Sequence, residues 1–190
     1  MYDYSFYKIK NHADGYCYIG IANTDDKYHS GGVADRICYH VGRYWHFLMS
    51  RSYDPFRKNG TLDELFDETL YGKGPFETRL SCMAAAIAKY GWQNFTVELL
   101  ARGFMTKPVA HSIEDYLIKL KSPNSYNQIL NHSPVEGNEV RLMQEDWNTS
   151  QFTVYKDVVM EGFDLSNQSY NDVMEKIFTD WHNLLNNIYS

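Results

Sequence analysis

The sequence predicts an α+β fold built on a small, mostly antiparallel sheet of three strands that is flanked by helices. Two aromatic strand patterns, at residues 4–10 and 16–22, lie on either side of a turn and predict a β-hairpin. Helical periodicity at three later places, with one more strand pattern among them, gives the order β-β-α-α-β-α. An acidic C-terminal extension that ends in an amphipathic helix completes the predicted architecture.

The hairpin is predicted from its turn and from its strands. Segment 11–15 ends in an Asp-Gly step, which suits the positive φ of a tight turn. Successive side chains of a strand point to opposite faces. One face of the first strand is therefore expected to carry Tyr4, Phe6, Lys8 and Lys10, and the other Ser5, Tyr7 and Ile9. Residues 23–32 are expected to form a polar loop.

Three main helices are predicted, over residues 33–49, 78–90 and 110–121. Their apolar side chains recur at steps of three and four residues and form buried stripes, which in the first helix consist of Val33, Ile37, Val41, Tyr44 and Leu48. The third strand, at 94–101, lies between the second and third helices. Segment 51–75 is expected to be an insertion, with a short acidic helix at 62–71.

The chain is predicted to divide into a first domain, residues 1–132, and an acidic extension, residues 133–190. The first part has 15 Lys and Arg against 14 Asp and Glu, whereas the second has 3 against 10. With no cysteine and so few basic residues, the extension is not a zinc finger or a basic DNA-reading helix. It contains a possible strand at 151–155 and an amphipathic helix at 170–188, which packs on its own domain, on a second copy or on a protein partner.

The composition predicts a cytoplasmic globular protein that does not bind membranes. No apolar run approaches the roughly 20 residues of a spanning helix, and the N-terminus has no secretory signal. The three cysteines, Cys17, Cys38 and Cys82, form no Cys-x-x-Cys pair, which argues against disulfides and zinc and favours a reducing compartment. The net charge of −6 predicts only weak non-specific affinity for DNA.

Six residues have the chemistry to cut a phosphodiester bond: Tyr7, Tyr18, Arg36, His40, Glu114 and Asn127. Tyr7 and Tyr18 lie on neighbouring predicted strands, so their hydroxyls can point at one spot. A phenol has an ordinary pKa of roughly 10. It can act as a base at neutral pH only where a nearby positive charge favours the phenolate.

The other four residues supply a cation, a proton relay, a metal ligand and an amide. Arg36 can grip phosphate as a fork, and His40, one helical turn away, can relay a proton. Glu114 is a suitable ligand for Mg²⁺, which needs only one or two protein carboxylates beside water and phosphate. Asn127 follows the third helix and can orient Glu114 or its water.

Over roughly residues 4–131 the chain resembles the GIY-YIG nucleases. Ser5-Phe6-Tyr7 stands in the place of GIY, with serine for the first glycine, and Tyr18-Ile19-Gly20 matches YIG. Arg36 and His40 match the Arg-x-x-x-His helix of the family. Further segments resemble the helix-to-strand passage of phage and homing members, the metal-ligand helix and the closing Tyr-Asn; these are Lys89–Phe95, Glu114–Ile118 and Ser125–Asn127.

The resemblance implies a metal-dependent DNA endonuclease of a phage or mobile element, which leaves 5′-phosphate and 3′-hydroxyl ends. One ion, Mg²⁺ or Mn²⁺, would be held by Glu114. The other implied roles are Tyr7 as general base on water, Tyr18 in shaping the site, Arg36 on the scissile phosphate, His40 in assisting proton transfer and Asn127 as a supporting polar residue.

Two predicted insertions, near 23–32 and 51–75, distinguish the chain from the family pattern. Arg43, Arg57 and Lys58 are candidate DNA contacts. The alternative to a nuclease is a non-catalytic interaction protein on the same fold, which binds a protein partner through its acidic C-terminal segment. The alternative to a protein partner at residues 170–188 is a homodimer formed through the same helix.

Overall fold

The structure, a computed structural model, describes residues 1–24, 31–49, 82–121, 126 and 152–189. Several predictions lie outside these residues: the insertion at 51–75 with its short helix at 62–71, the turn residue Asn127, and most of the loop at 23–32.

The described elements follow the predicted order and then continue beyond it. Strand β1 spans Tyr2–Asn11, β2 spans Cys17–Asn23, helix α1 spans Val33–Met49 and α2 spans Cys82–Tyr90. A 3₁₀ turn at Trp92–Asn94 leads into β3, Phe95–Met105, which is followed by α3, Lys107–Lys121. Strand β4, Phe152–Val154, strand β5, Val159–Glu161, and helix α4, Tyr170–Tyr189, complete the described fold.

The fold is α+β with a small antiparallel sheet, as predicted, but the expectation of three strands is wrong. Among the described residues the sheet has five strands, in the order β2-β1-β3-β4, and β5 pairs with β3 beside β4. Strand β4 lies within the possible strand at 151–155, whereas β5 was not predicted. Each of these strands has only three residues, which is too short for an alternating pattern to be recognised in the sequence.

Both faces of the sheet are covered by helices. On one face, Tyr4 and Phe6 of β1 pack with Ile113 of α3. On the other face, Tyr7 and Ile9 belong to the larger core cluster, to which α1, α2 and α4 contribute. The predicted alternation of β1 is therefore confirmed, and Tyr7 lies on the face that α1 covers.

A β-bulge lies beside Tyr7. Phe6 is paired with Ala101 of β3, whereas Tyr7 is paired with Leu99, so Leu100 is the extra residue. Because of the extra residue, Leu99 and Ala101 lie on opposite faces of the sheet, although residues two apart in a regular strand share a face. Leu99 belongs to the larger core cluster, and Ala101 belongs to the smaller cluster, which also contains Tyr4, Phe6 and Ile113. Bulges re-aim side chains and are frequent next to active sites.

Residues 152–189 contribute to the same core as the residues before 122. Helix α4 buries Val173, Ile177 and Trp181 in the larger cluster and packs against α1. A Cβ atom at Gly162 would overlap the carbonyl oxygen of Trp92, so the chain after β5 lies directly on the 3₁₀ turn. The predicted boundary near residue 132 lies outside the described residues. A partner or a second copy at 170–188 stays a prediction, and it would have to bind the face of α4 that does not pack on the core.

Within the described part of the chain, every helix is too short or too polar to cross a lipid bilayer.

Candidate active site

Two buried tyrosines on the hairpin form the centre of the candidate site. Tyr7 is only 1% exposed and is paired with Gly20 across β1 and β2. The ring centroids of Tyr7 and Tyr18 are 6.2 Å apart. Their side chains are hydrogen-bonded to each other, and this bond raises the pKa of Tyr7 and lowers that of Tyr18.

A glycine is needed at position 20 because a larger side chain would not fit there, and not because the backbone adopts a conformation reserved for glycine. A Cβ atom on Gly20 would lie 2.5 Å from the Tyr7 hydroxyl oxygen and 2.8 Å from Cε1 of Tyr18. These separations are well below normal van der Waals contact, and the buried Tyr7 ring has little room to move. The third residue of the Tyr-Ile-Gly motif is therefore a glycine because both phenol rings lie against it.

A Gly20→Ala variant is expected to keep its fold but to displace the Tyr7 phenol. Overpacking of this kind costs about 1–3 kcal/mol of stability, and misplacement of a reacting group by about 1 Å lowers the rate about 10²-fold. The measurement is DNA cleavage alongside thermal unfolding. Gly42→Ala is the matched control, because a Cβ atom there has its nearest neighbour at 3.4 Å and alanine favours helix α1. Equal activity of Gly20→Ala and the unmodified protein would contradict the packing argument.

Helix α1 brings Arg36 and His40 to the same place. Ile37 and Val41 are fully buried and attach the helix to the sheet, and Arg36 and His40 lie one turn apart on the adjoining stripe. The His40 side chain is 6% exposed, and its ring meets that of Tyr18 edge-on with centroids 4.9 Å apart. The charge of Arg36 lowers the pKa of both phenols, so its guanidinium is within electrostatic reach of them.

Helix α3 places Glu114 near the same two hydroxyls. The helix packs against β1 and β2, and its Ile113 is a buried member of the smaller cluster. The Glu114 carboxylate raises the pKa of both Tyr7 and Tyr18, which places it within electrostatic reach of both. Its side chain is 16% exposed, and its Oε2 atom lies 3.3 Å from Nδ1 of His111.

The two phenols are poor acids in this environment. Burial is the largest cause that raises the pKa of Tyr7 well above its ordinary value, and the neighbouring Tyr18 and Glu114 add to it. Burial also raises the pKa of Tyr18 to about 12. The opposing effect of Arg36 is smaller in both cases, so both tyrosines are protonated at neutral pH unless further positive charge arrives.

The oxygen atoms of Glu114 and of the nearby phenols suit a hard cation whose other ligands are water and substrate. Among the described residues, no cluster of three or more His, Cys, Asp or Glu side chains is arranged to hold a metal. One carboxylate with phenol oxygens nearby is instead the sparse oxygen set that Mg²⁺ or Mn²⁺ accepts when phosphate and water complete its shell. The residues present therefore fit the predicted single ion.

A third tyrosine, Tyr126, is hydrogen-bonded to the hairpin turn, and the sequence predicts no separate role for it. The Tyr126 hydroxyl donates to Oδ2 of Asp14 at 2.7 Å and accepts from Nδ2 of Asn11 at 2.9 Å. Burial is the main cause that raises the pKa of Tyr126. The sequence predicts only a turn at Asn11 and Asp14. A turn pattern is local, so it does not reveal a hydrogen bond to a residue more than a hundred positions away.

Tyr7, Tyr18 and His40 are thus in ring contact in series, and Arg36 and Glu114 lie within electrostatic reach of both phenols; these five of the six predicted site residues lie on β1, β2, α1 and α3. Asn127, Arg57 and Lys58 lie outside the described residues. Arg43 lies in α1, two turns after Arg36, and its side chain is likewise not described. Sequence reasoning missed His111, although its spacing of three from Glu114 on a predicted helix was visible.

Comparison of the chain with protein-family models, with curated proteins and with solved structures gives no match.

Proposed function

We propose that this protein is a metal-dependent DNA endonuclease that hydrolyses phosphodiester bonds. The observation that supports it is the convergence of Tyr7, Tyr18, Arg36, His40 and Glu114, which come from four elements separated by about a hundred residues. Titratable groups with perturbed pKa values that lie close to one another are candidates for a functional site. The choice of DNA as substrate follows from the resemblance to the GIY-YIG nucleases.

In this proposal Arg36 binds the scissile phosphate. A guanidinium carries a permanent charge and a planar fork of donors, so it suits both the ground-state phosphate and the greater charge of the transition state. Helix α1 holds Arg36 through its buried face, which limits the reorganisation needed when the substrate arrives. A bound ion at Glu114 would add further stabilisation of charge on the phosphate oxygens.

Tyr7 is proposed to take the proton of the attacking water. Tyr7 does so as the phenolate, which the positive charge of Arg36 favours and a bound ion at Glu114 would favour further, and it becomes the neutral phenol when it accepts that proton. Tyr18 is hydrogen-bonded to Tyr7, and its ring meets that of His40. A histidine side chain can hold a proton near neutral pH, so His40 can accept the proton that Tyr7 loses again before the next turnover.

The decisive experiment is a time course on supercoiled plasmid with Mg²⁺, with Mn²⁺ and with EDTA. We expect nicked or linear DNA with either metal, none with EDTA, and product ends that carry 5′-phosphate and 3′-hydroxyl groups. Protein purified identically but carrying Glu114→Gln controls for contaminating nucleases. The proposal fails if duplex, single-stranded and branched DNA all remain intact with both metals, or if cutting persists in EDTA.

The interaction-protein alternative remains the second reading of the sequence. The acidic C-terminal segment that would bind the partner includes the helix at 170–188, and Val173, Ile177 and Trp181 on the apolar face of that helix are buried in the protein's own core. A partner would therefore have to bind the acidic polar face of α4. Tight binding of a partner together with no cleavage on any DNA would favour it.

A further inference from the structure

We propose that His111 is a second protein ligand of the ion at Glu114 and binds it through Nδ1. This inference rests on the metal-binding part of the proposed function. Glu114 was the only metal ligand expected from the sequence, and His111 was assigned no role.

The separation of the two ligand atoms supports the proposal. Nδ1 of His111 lies 3.3 Å from Oε2 of Glu114. Two adjacent ligands of an octahedral ion with bonds of about 2.1 Å stand about 3.0 Å apart. A shift of a few tenths of an ångström in either side chain would thus allow one ion to contact both atoms.

The helix holds this pair in place and leaves one side of it open. His111 and Glu114 are three residues apart and therefore share a face of α3. Ala110 and Ile113, beside them in sequence, are buried in the smaller cluster and anchor the backbone. The His111 side chain is 51% exposed and that of Glu114 is 16% exposed, so an ion between them would be open to solvent and could take water and phosphate as its other ligands.

An imidazole ligand has a consequence for metal choice. Imidazole suits the later first-row transition metals, whereas oxygen ligands suit both Mg²⁺ and Mn²⁺; of these two, Mn²⁺ is the softer ion and accepts nitrogen more readily. The site should therefore bind Mn²⁺ more tightly than a site with Glu114 alone, and loss of His111 should affect Mn²⁺ far more than Mg²⁺. A simple His–Glu contact on a helix would have no such selectivity.

The test measures Mn²⁺ binding directly, without any cleavage assay. Electron paramagnetic resonance of free Mn²⁺ gives the affinity, and electron spin-echo modulation of bound Mn²⁺ detects a directly coordinated ¹⁴N nucleus. We expect ¹⁴N modulation in the unmodified protein, its loss in His111→Ala, and a fall of about tenfold or more in Mn²⁺ affinity. Mg²⁺ affinity, measured by competition, should change less than about threefold.

Each other outcome would overturn the inference. Lower affinity without any ¹⁴N modulation in the unmodified protein would mean that His111 only orients Glu114. Unchanged Mn²⁺ affinity in His111→Ala would remove the ligand role while the proposed nuclease function stands. No Mn²⁺ binding at all would remove the metal site as well. Lys107→Ala, an exposed change in the first turn of α3, is the control for general charge effects on Mn²⁺.

Discussion

Replacement of Glu114 by glutamine is expected to abolish metal-dependent DNA cutting while the protein stays folded. The amide has nearly the same shape as the carboxylate but no negative charge, so the site would lose its main attraction for Mg²⁺ or Mn²⁺. A catalytic ion contributes several kcal/mol to transition-state stabilisation, which corresponds to a rate loss of about 10³-fold or more. The measurement is the initial rate of plasmid nicking, with circular dichroism and thermal unfolding as evidence of folding.

The neighbouring carboxylate offers a matched control. Asp115→Asn removes one negative charge from the next position of the same helix, and this residue has no part in the proposed site. It should retain activity within about threefold, as surface substitutions away from special features usually do. If Glu114→Gln retained full activity, the metal role of Glu114 would be withdrawn, and His111 would lose its proposed partner with it.

Tyr7→Phe is expected to lower kcat by about 10²-fold or more with little change in KM, because general-base groups contribute about 10²–10⁴-fold and act only in the transition state. The phenylalanine ring fills the same buried space, so the fold should persist. Tyr16→Phe is the matched control, since it also removes one phenol hydroxyl from the hairpin but lies beside Tyr126, away from the Tyr7–Tyr18 pair. An unchanged turnover in Tyr7→Phe would reject the assignment of Tyr7 as base.

The pH dependence expected for the unmodified protein and for Tyr7→Phe follows from the direction in which the pKa of Tyr7 is shifted. Burial raises the pKa of Tyr7, so the phenolate is a minor form at neutral pH and its fraction rises with increasing pH. Activity of the unmodified protein should therefore climb steadily from about pH 6 to pH 9 without a fall, by up to tenfold per unit. Tyr7→Phe should flatten this rise. A flat profile in both proteins would indicate that no phenolate is involved.

Local periodicity was sufficient to predict much of this fold. Helix α1 begins and ends where its apolar repeat does, because the stripe of Ile37 and Val41 is a local pattern that packing preserves. The hairpin and the α3 helix were likewise predicted from short-range signals. The motif residues on these elements then lie together because the order of elements determines which faces meet.

The features that could not be predicted depend on contacts between distant parts of the chain. Strand β5 forms by pairing with Val97 and its neighbours on the edge of β3 that β1 does not occupy. A segment of three residues is too short for its sequence to predict that pairing. The bulge at Leu100 and the bond from Tyr126 to Asp14 have the same non-local origin. The weak acidity of Tyr7 also arises from the complete core, since burial is its largest cause.

The late position of β4, β5 and α4 has a consequence for how the protein is made. A ribosome adds about 5–20 residues per second, so the stretch from residue 126 to residue 189 takes roughly 3–13 s to synthesise. During that interval the nascent polypeptide already contains all five clustered residues but lacks Trp181 and the strands that cover one edge of β3. Any cleavage activity should therefore emerge only after α4 has been synthesised and has packed on the core.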